Sequence, residues 1–173
     1  RNKGESLPPE EGAWQTFGPS GFGYDETWHV PKEMDADDIA RVTQSFAAAA
    51  SRADRAGFDV LEIHAAHGYL LHQFLSPVTN HRTDAYGGST ENRMRFPLKV
   101  VRAARAVWPK HKALGVRVNS TDWHPQGQCI ADALTFAQQL EAAGVDYVVM
   151  SAGNLAPGSK IPPATPGHQV NFA

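Results

Sequence analysis

Three apolar runs of strand length, residues 58–63, 114–119 and 145–150, alternate with longer stretches whose apolar positions recur at helical spacing. Asp35 can cap the first helical stretch, with Asp38 at N3. Ile39, Val42, Phe46, Ala49, Ala50 and Ala53 then share one face, and Gly57 sits where a C′ glycine ends a helix. Residues 58–63, broken only by Asp59 and Glu62, predict a strand buried on both faces of a parallel sheet, with His64 at its C-terminal end. Residues 68–75 predict a short helix that Pro77 stops. A turn at Gly87 and Gly88 runs into Ser89, an N-cap for a helix through Val100, Val101, Ala104 and Val107 to Trp108; Pro109 stops it, and Pro97 predicts a kink or a late start. Residues 114–119 predict a second strand carrying Arg117, residues 122–128 a loop, and residues 130–143 a helix with Ile130, Leu134, Ala137 and Leu140 on one face. Gly144 ends that helix, and residues 145–150 form a third strand tipped by Ser151, Ala152, Gly153 and Asn154.

Two segments repeat one design. Ala56-Gly57-Phe58-Asp59-Val60-Leu61 and Ala143-Gly144-Val145-Asp146-Tyr147-Val148 each run from helix to glycine stop, one apolar residue, Asp, then an aliphatic strand. The crossovers are long enough for parallel strands, so the class is α/β, either an open doubly wound sheet or a (β/α)8 barrel. No Gly-x-Gly-x-x-Gly or P-loop follows a strand, which weakens the dinucleotide form of the open sheet. Polar residues at three strand tips, His64, Arg117 with Asn119, and Ser151, favour the barrel, whose chemistry gathers at the C-terminal rim. Residues 1–34 hold four prolines, five glycines and scattered aromatics without periodicity. They read as a long ordered loop that covers something.

The 173 residues fit one domain, and a formal charge of −2 without a basic stripe argues against a nucleic-acid or membrane-surface partner. A small molecule is the expected partner. The single cysteine, Cys129, rules out an internal disulfide framework, and with neither a leader pattern nor a membrane-length apolar run the chain reads as soluble and cytoplasmic. The chain opens at Arg1 and its first methionine is Met34, so it does not read as an intact translation product.

The candidate chemistry centres on His64 and His67. An H-x-x-H pair can begin a metal site, but the neighbouring strand offers Arg117, a permanent cation that repels a divalent ion. Two imidazole N–H donors beside an arginine instead suit a developing anion such as an enolate oxygen. Either histidine alone could serve only to satisfy a backbone carbonyl. Tyr69, protonated near neutral pH, can act as a general acid or can pack on the strand end. By parity Glu62 points into the interior with His64 and Val60, so Arg117 on the following strand is expected to be its partner or to sit just above it. The Tyr86-Gly87-Gly88-Ser89 stretch can cradle a phosphate or simply turn; Arg82, Asp84, Glu91, Arg93 and Arg95 read as ion pairs that pin this excursion. Trp108 and Trp123 read as packing, and Cys129 as structural or incidental.

Three stretches, Ile63-His64-Ala65-Ala66-His67-Gly68-Tyr69-Leu70, Phe74-Leu75-Ser76-Pro77 and residues 80–93, closely resemble the Old Yellow Enzyme family of FMN-dependent ene-reductases, with the bacterial xenobiotic reductase-like branch nearest. With residues 115–118 and 151–153 the resemblance covers most of residues 13–172. It implies a (β/α)8 barrel with FMN across its C-terminal rim, NADPH or NADH as reductant, and hydride transfer to an alkene conjugated to a carbonyl or nitro group. By motif position, His64 and His67 match the pair that binds the substrate oxygen, Tyr69 the proton donor, and Arg117, with His64, the flavin contacts. Three strands match the fourth to sixth of that barrel, so the chain represents a middle part. The alternative is a catalytically silent partial barrel that serves as an assembly or interaction module, since unpaired sheet edges invite another chain. The pairing of identical chains stays open.

Overall fold

The computed structural model describes residues 6–153, 155–163, 165–167 and 169–172. Before the first helix, the segment expected to be a long loop contains a parallel pair of two-residue strands, β1 (Phe17–Gly18) and β2 (Lys32–Glu33), and a 3-10 turn at Pro9–Glu11. Helix α1 (Ala36–Arg55) starts on a capping box: Asp35 accepts from the Asp38 N–H, and the Asp38 carboxylate accepts from the Asp35 N–H. Asp38 also takes Arg41 and Lys32, which pull its pKa down to about 2.

Strand β3 (Val60–Ala65) follows, then helices α2 (Leu70–Leu75) and α3 (Thr90–Val107), strand β4 (Ala113–Asn119), helix α4 (Ile130–Ala142) and strand β5 (Tyr147–Ser151). The strands form one parallel sheet in chain order, β3-β4-β5. Register places Glu62 opposite Gly115 and Gly115 opposite Tyr147; two residues further on, His64, Arg117 and Val149 form the next row.

The hydrophobic core lies on one face. Ile63, Ala65, Leu114, Val116 and Val118 are buried there, joined by Leu61, Val148 and Met150 and by side chains of all four helices. Phe74 of α2 packs on Phe96 of α3 with ring centroids 4.5 Å apart. None of Val60, Glu62, His64, Arg117 or Val149 belongs to this core. Sequential parallel strands with helices on one side only are the arrangement of a barrel arc, because a doubly wound sheet places helices on both faces.

Four expectations change. The strand expected to be buried on both faces is covered on one, and Phe58 and Val60 are 60% and 51% exposed. An apolar run cannot say which of its faces is covered within a given chain. The strand itself runs Val60–Ala65 rather than over residues 58–63, and His64 stands at its C-terminal end as expected. On α4, Leu140 of the expected stripe is buried, but Ile130 and Leu134 are exposed and Ala133 and Phe136 are buried in their stead. Both stripes have helical spacing, and Phe136 supplies the larger anchor. Helix α3 shows no late start: Ser89 Oγ accepts from the Asn92 N–H, and the helix continues through a buried Pro97.

The 80–93 excursion is tied down as expected. Arg82 donates to the carbonyls of Pro19 and Met34 and pairs with Asp84, linking it to the N-terminal segment. The stretch at Gly87 is tight: a Cβ there would stand 2.2 Å from the Arg82 carbonyl oxygen, so only glycine fits. Trp108 is buried and donates to the Ala113 carbonyl.

Candidate active site

Strand β3 delivers His64 to the open face of the sheet, directly opposite Arg117 on β4. After Ala65 the chain turns through His67 (φ 56°) and Gly68 (φ 77°), both left-handed. A non-glycine residue in that region stores strain, of order 1–3 kcal/mol, and needs specific partners. It has them. The His67 N–H donates to Asn119 Oδ1 (3.2 Å), the Gly68 N–H donates to His72 Nδ1 (2.9 Å), and the Tyr69 N–H donates to the Ala66 carbonyl (3.2 Å).

This turn brings two rings up to His64. The His67 ring centroid is 5.1 Å away and that of Tyr69 is 5.2 Å away, edge-on. Tyr69 begins α2 and is 64% exposed. His67 Nε2 lies 2.6 Å from Ser151 Oγ at the tip of β5, so three consecutive strand ends meet at the site. Burial, then the Arg117 charge, lowers the pKa of His64, with Glu62 opposing. Burial, then Arg117 and His64, lowers that of His67. At neutral pH both rings are therefore neutral and each has one N–H to donate.

The geometry does not pair Glu62 with Arg117. Glu62 is exposed and forms no ion pair among the described residues. Its neighbour is the Tyr147 phenol, whose pKa is raised by burial and then by the Glu62 charge and hydrogen bond. The cause lies between them, at Gly115. A Cβ there would sit 2.1 Å from the Tyr147 ring, so the bare glycine lets the tyrosine cross β4 and reach Glu62. Arg117 keeps a buried Nε without a hydrogen-bond partner among the described residues.

Several site features carried no recognised sequence signal. His72 and Asp122 are fully buried and bonded to each other; a histidine amid Leu70, Leu71, Phe74 and Leu75 was the available hint. A cavity of about 560 Å³ adjoins the turn. Its walls include Phe22, Tyr24 and Trp28 from the N-terminal segment, and His67 with Gly68. Asn154, expected at the β5 tip, lies outside the described residues. Among the described residues no cluster of three His, Cys, Asp or Glu side chains could hold a metal, and no helix is long and apolar enough to cross a membrane.

The profile of the NADH:flavin oxidoreductase / NADH oxidase family matches residues 3–170. The chain belongs to this family. Within the NADH:flavin oxidoreductase family it is 46% identical over 157 residues to the NADPH dehydrogenase of Bacillus subtilis, covering 91% of this chain and 45% of that protein. It is 47% identical over 155 residues to an NADH:flavin oxidoreductase of Gibberella zeae, covering 83% of this chain and 38% of that one. Among solved structures, the old yellow enzyme homologue of Zymomonas mobilis aligns with a TM-score of 0.73 at 28% identity, over 86% of this chain and 45% of that one. A 2-naphthoyl-CoA reductase in complex with 2-naphthoyl-CoA aligns with a TM-score of 0.82 at 30% identity, over 91% of this chain and 24% of that one. The three-strand arc is thus part of an Old Yellow Enzyme type (β/α)8 barrel. The chain spans less than half the length of the relatives it matches.

Proposed function

We propose that this chain supplies the substrate-activating part of an FMN-dependent NAD(P)H oxidoreductase that reduces alkenes conjugated to a carbonyl or nitro group. The observation that carries the reading is the cluster of neutral His64, neutral His67 and exposed Tyr69 beside Arg117, a cation whose buried Nε has no partner among the described residues.

The residues suit the flavin. Arg117 offers a permanent positive charge and a free donor on the open face of the sheet, which fits the electron-rich pyrimidine edge of an FMN held there, and His64 lies in the adjacent register position. Bound FMN supplies the hydride chemistry, between NAD(P)H and the β-carbon of the alkene. The chain's own residues do the rest. His64 and His67 donate N–H to the substrate oxygen, where negative charge develops as hydride arrives at the β-carbon. With Nε2 of His67 taken up by Ser151, its Nδ1 is the nitrogen that faces a ligand, and it donates when the Ser151 hydroxyl donates into Nε2. The Tyr69 hydroxyl delivers a proton to the α-carbon, and its exposure allows reprotonation from solvent.

The cavity supports a substrate with a ring system. Since His67 and Gly68 form part of its wall, a carbonyl held by the histidines directs the body of the molecule toward Phe22, Tyr24 and Trp28, which suits a flat ring system. The structural relatives include a morphinone reductase and the 2-naphthoyl-CoA reductase, both named for ring compounds.

The test is a visible spectrum followed by a titration. The protein should carry bound FMN, oxidise NADPH faster when cyclohexenone is added, and bind a simple phenol at the histidine pair. Replacing His64 and His67 together with Ala should lower phenol affinity roughly 30- to 150-fold, at ~1–1.5 kcal/mol for each lost donor. A protein that ignores FMN, or a double variant with unaltered phenol affinity, defeats the proposal.

A further inference from the structure

Beneath the rim runs a buried polar chain that the proposed chemistry leaves unused. His72 on α2 and Asp122 in the loop after β4 are both fully buried. The Gly68 N–H donates to His72 Nδ1 at 2.9 Å, and His72 Nε2 lies 2.8 Å from Asp122 Oδ1. The Ser76 hydroxyl and the Gln128 N–H both donate to Asp122 Oδ2, each at 2.6 Å. A ring nitrogen that accepts from an amide carries no proton. The proton of His72 is therefore on Nε2 and is donated to Asp122, a hydrogen bond from a neutral imidazole to a carboxylate rather than an ion pair. Asp122 accepts from three donors, His72, Ser76 and the Gln128 N–H, the bonding of an ionised carboxylate.

Such a buried pair is a poor device for stability, because well-packed apolar side chains often do as well. What an apolar side chain cannot do is accept the Gly68 N–H. That amide sits at the second of two left-handed residues, and the turn they make is what sets His67 and Tyr69 beside His64. Without the acceptor, a half-buried donor loses its partner unless the turn relaxes. We infer that His72, oriented by Asp122, is a positioning residue that holds the His67–Gly68 turn left-handed and so sets the spacing of the two imidazoles and the Tyr69 phenol. The inference rests on the roles proposed above for those three rings.

Two substitutions at one position separate positioning from stability. His72→Asn places Oδ1 where the ring has Nδ1, so an acceptor for Gly68 remains while the contact with Asp122 is lost; His72→Leu loses both. In the full chain carrying its flavin, both should lower the melting temperature by similar amounts. Phenol affinity should stay within about threefold in His72→Asn and fall roughly tenfold in His72→Leu, the value of one lost hydrogen bond at the turn. Equal losses in the two variants, or no loss in His72→Leu, overturn the inference. Should neither variant fold, nitrogen-15 spectra of the unsubstituted protein decide, with an Nε2–H tautomer at His72 and a slowly exchanging Gly68 amide expected. An Nδ1–H tautomer or a freely exchanging amide refutes the inference. Failure of the unsubstituted protein to bind phenol counts against the proposed function alone, since these spectra do not depend on phenol.

Discussion

The two faces of the β3-β4-β5 sheet are made by the same three segments and differ only in residue parity. On one, Ile63, Ala65, Leu114, Val116 and Val118 are at most 4% exposed and pack against helices. On the other, Glu62, His64, Arg117 and Tyr147 occupy adjacent rows of the register and Val60 stands half-exposed. Alternation along a strand thus separates the residues that hold the fold from those that meet a ligand. A change on one face should leave the other's property almost untouched.

The largest expected effect comes from the packed face. Leu114→Ala should cost about 2–5 kcal/mol of stability, since Leu114 is fully buried. In urea melts the midpoint should drop, while the folded fraction binds phenol with unchanged affinity; a weaker affinity would mean the two faces are coupled. On the rim the opposite pattern is expected. Tyr69→Phe should slow alkene reduction about 100-fold, the usual scale for a general acid, and leave the melting temperature in place because the phenol is largely exposed. Stopped-flow mixing of the reduced protein with cyclohexenone measures it, and an unchanged rate would assign the proton to another donor.

Gly115 is where the division should break. It belongs to the open face, yet Gly115→Ala puts a methyl group against the Tyr147 ring and should cost about 1 kcal/mol as the ring swings off Glu62. Ultraviolet titration should then show the Tyr147 pKa moving down toward its usual value, because burial and Glu62 had raised it. The smallest effect is acidic. His64 and His67 both have folded pKa values below their usual 6.5, so between 6.5 and those values the unfolded chain binds more protons and stability falls as pH falls. The urea midpoint should decline from neutral pH toward pH ~5, less steeply in a variant with Gln at both positions. Equal slopes would show that the two rings are not depressed.

Much of this division was legible in the sequence. The helix caps at Asp35 and Ser89, the glycine stop at Gly57 and the three apolar runs depend on residues a few positions apart, and all appear in the structure. Choices between equally periodic alternatives were not legible. The two stripes of α4 share Leu140 and the same spacing, so periodicity does not choose between them. Glu62 was given the wrong partner because parity names a face but not a contact, and only the gap at Gly115 lets Tyr147 reach it.

By itself, then, the sequence determined the order of strands and helices, the parity that puts His64 and Glu62 on the same face of their strand, and the motif that places the chain in its family. Only the tertiary structure decided how the rim is held. His67 bonds Asn119 and Ser151, 52 and 84 residues away, and His72 bonds Asp122, 50 residues away. Periodicity and capping act over a few residues. Bonds across such separations exist only once the strands are in register and the helices are packed, so no local pattern records which nitrogen of which histidine they take.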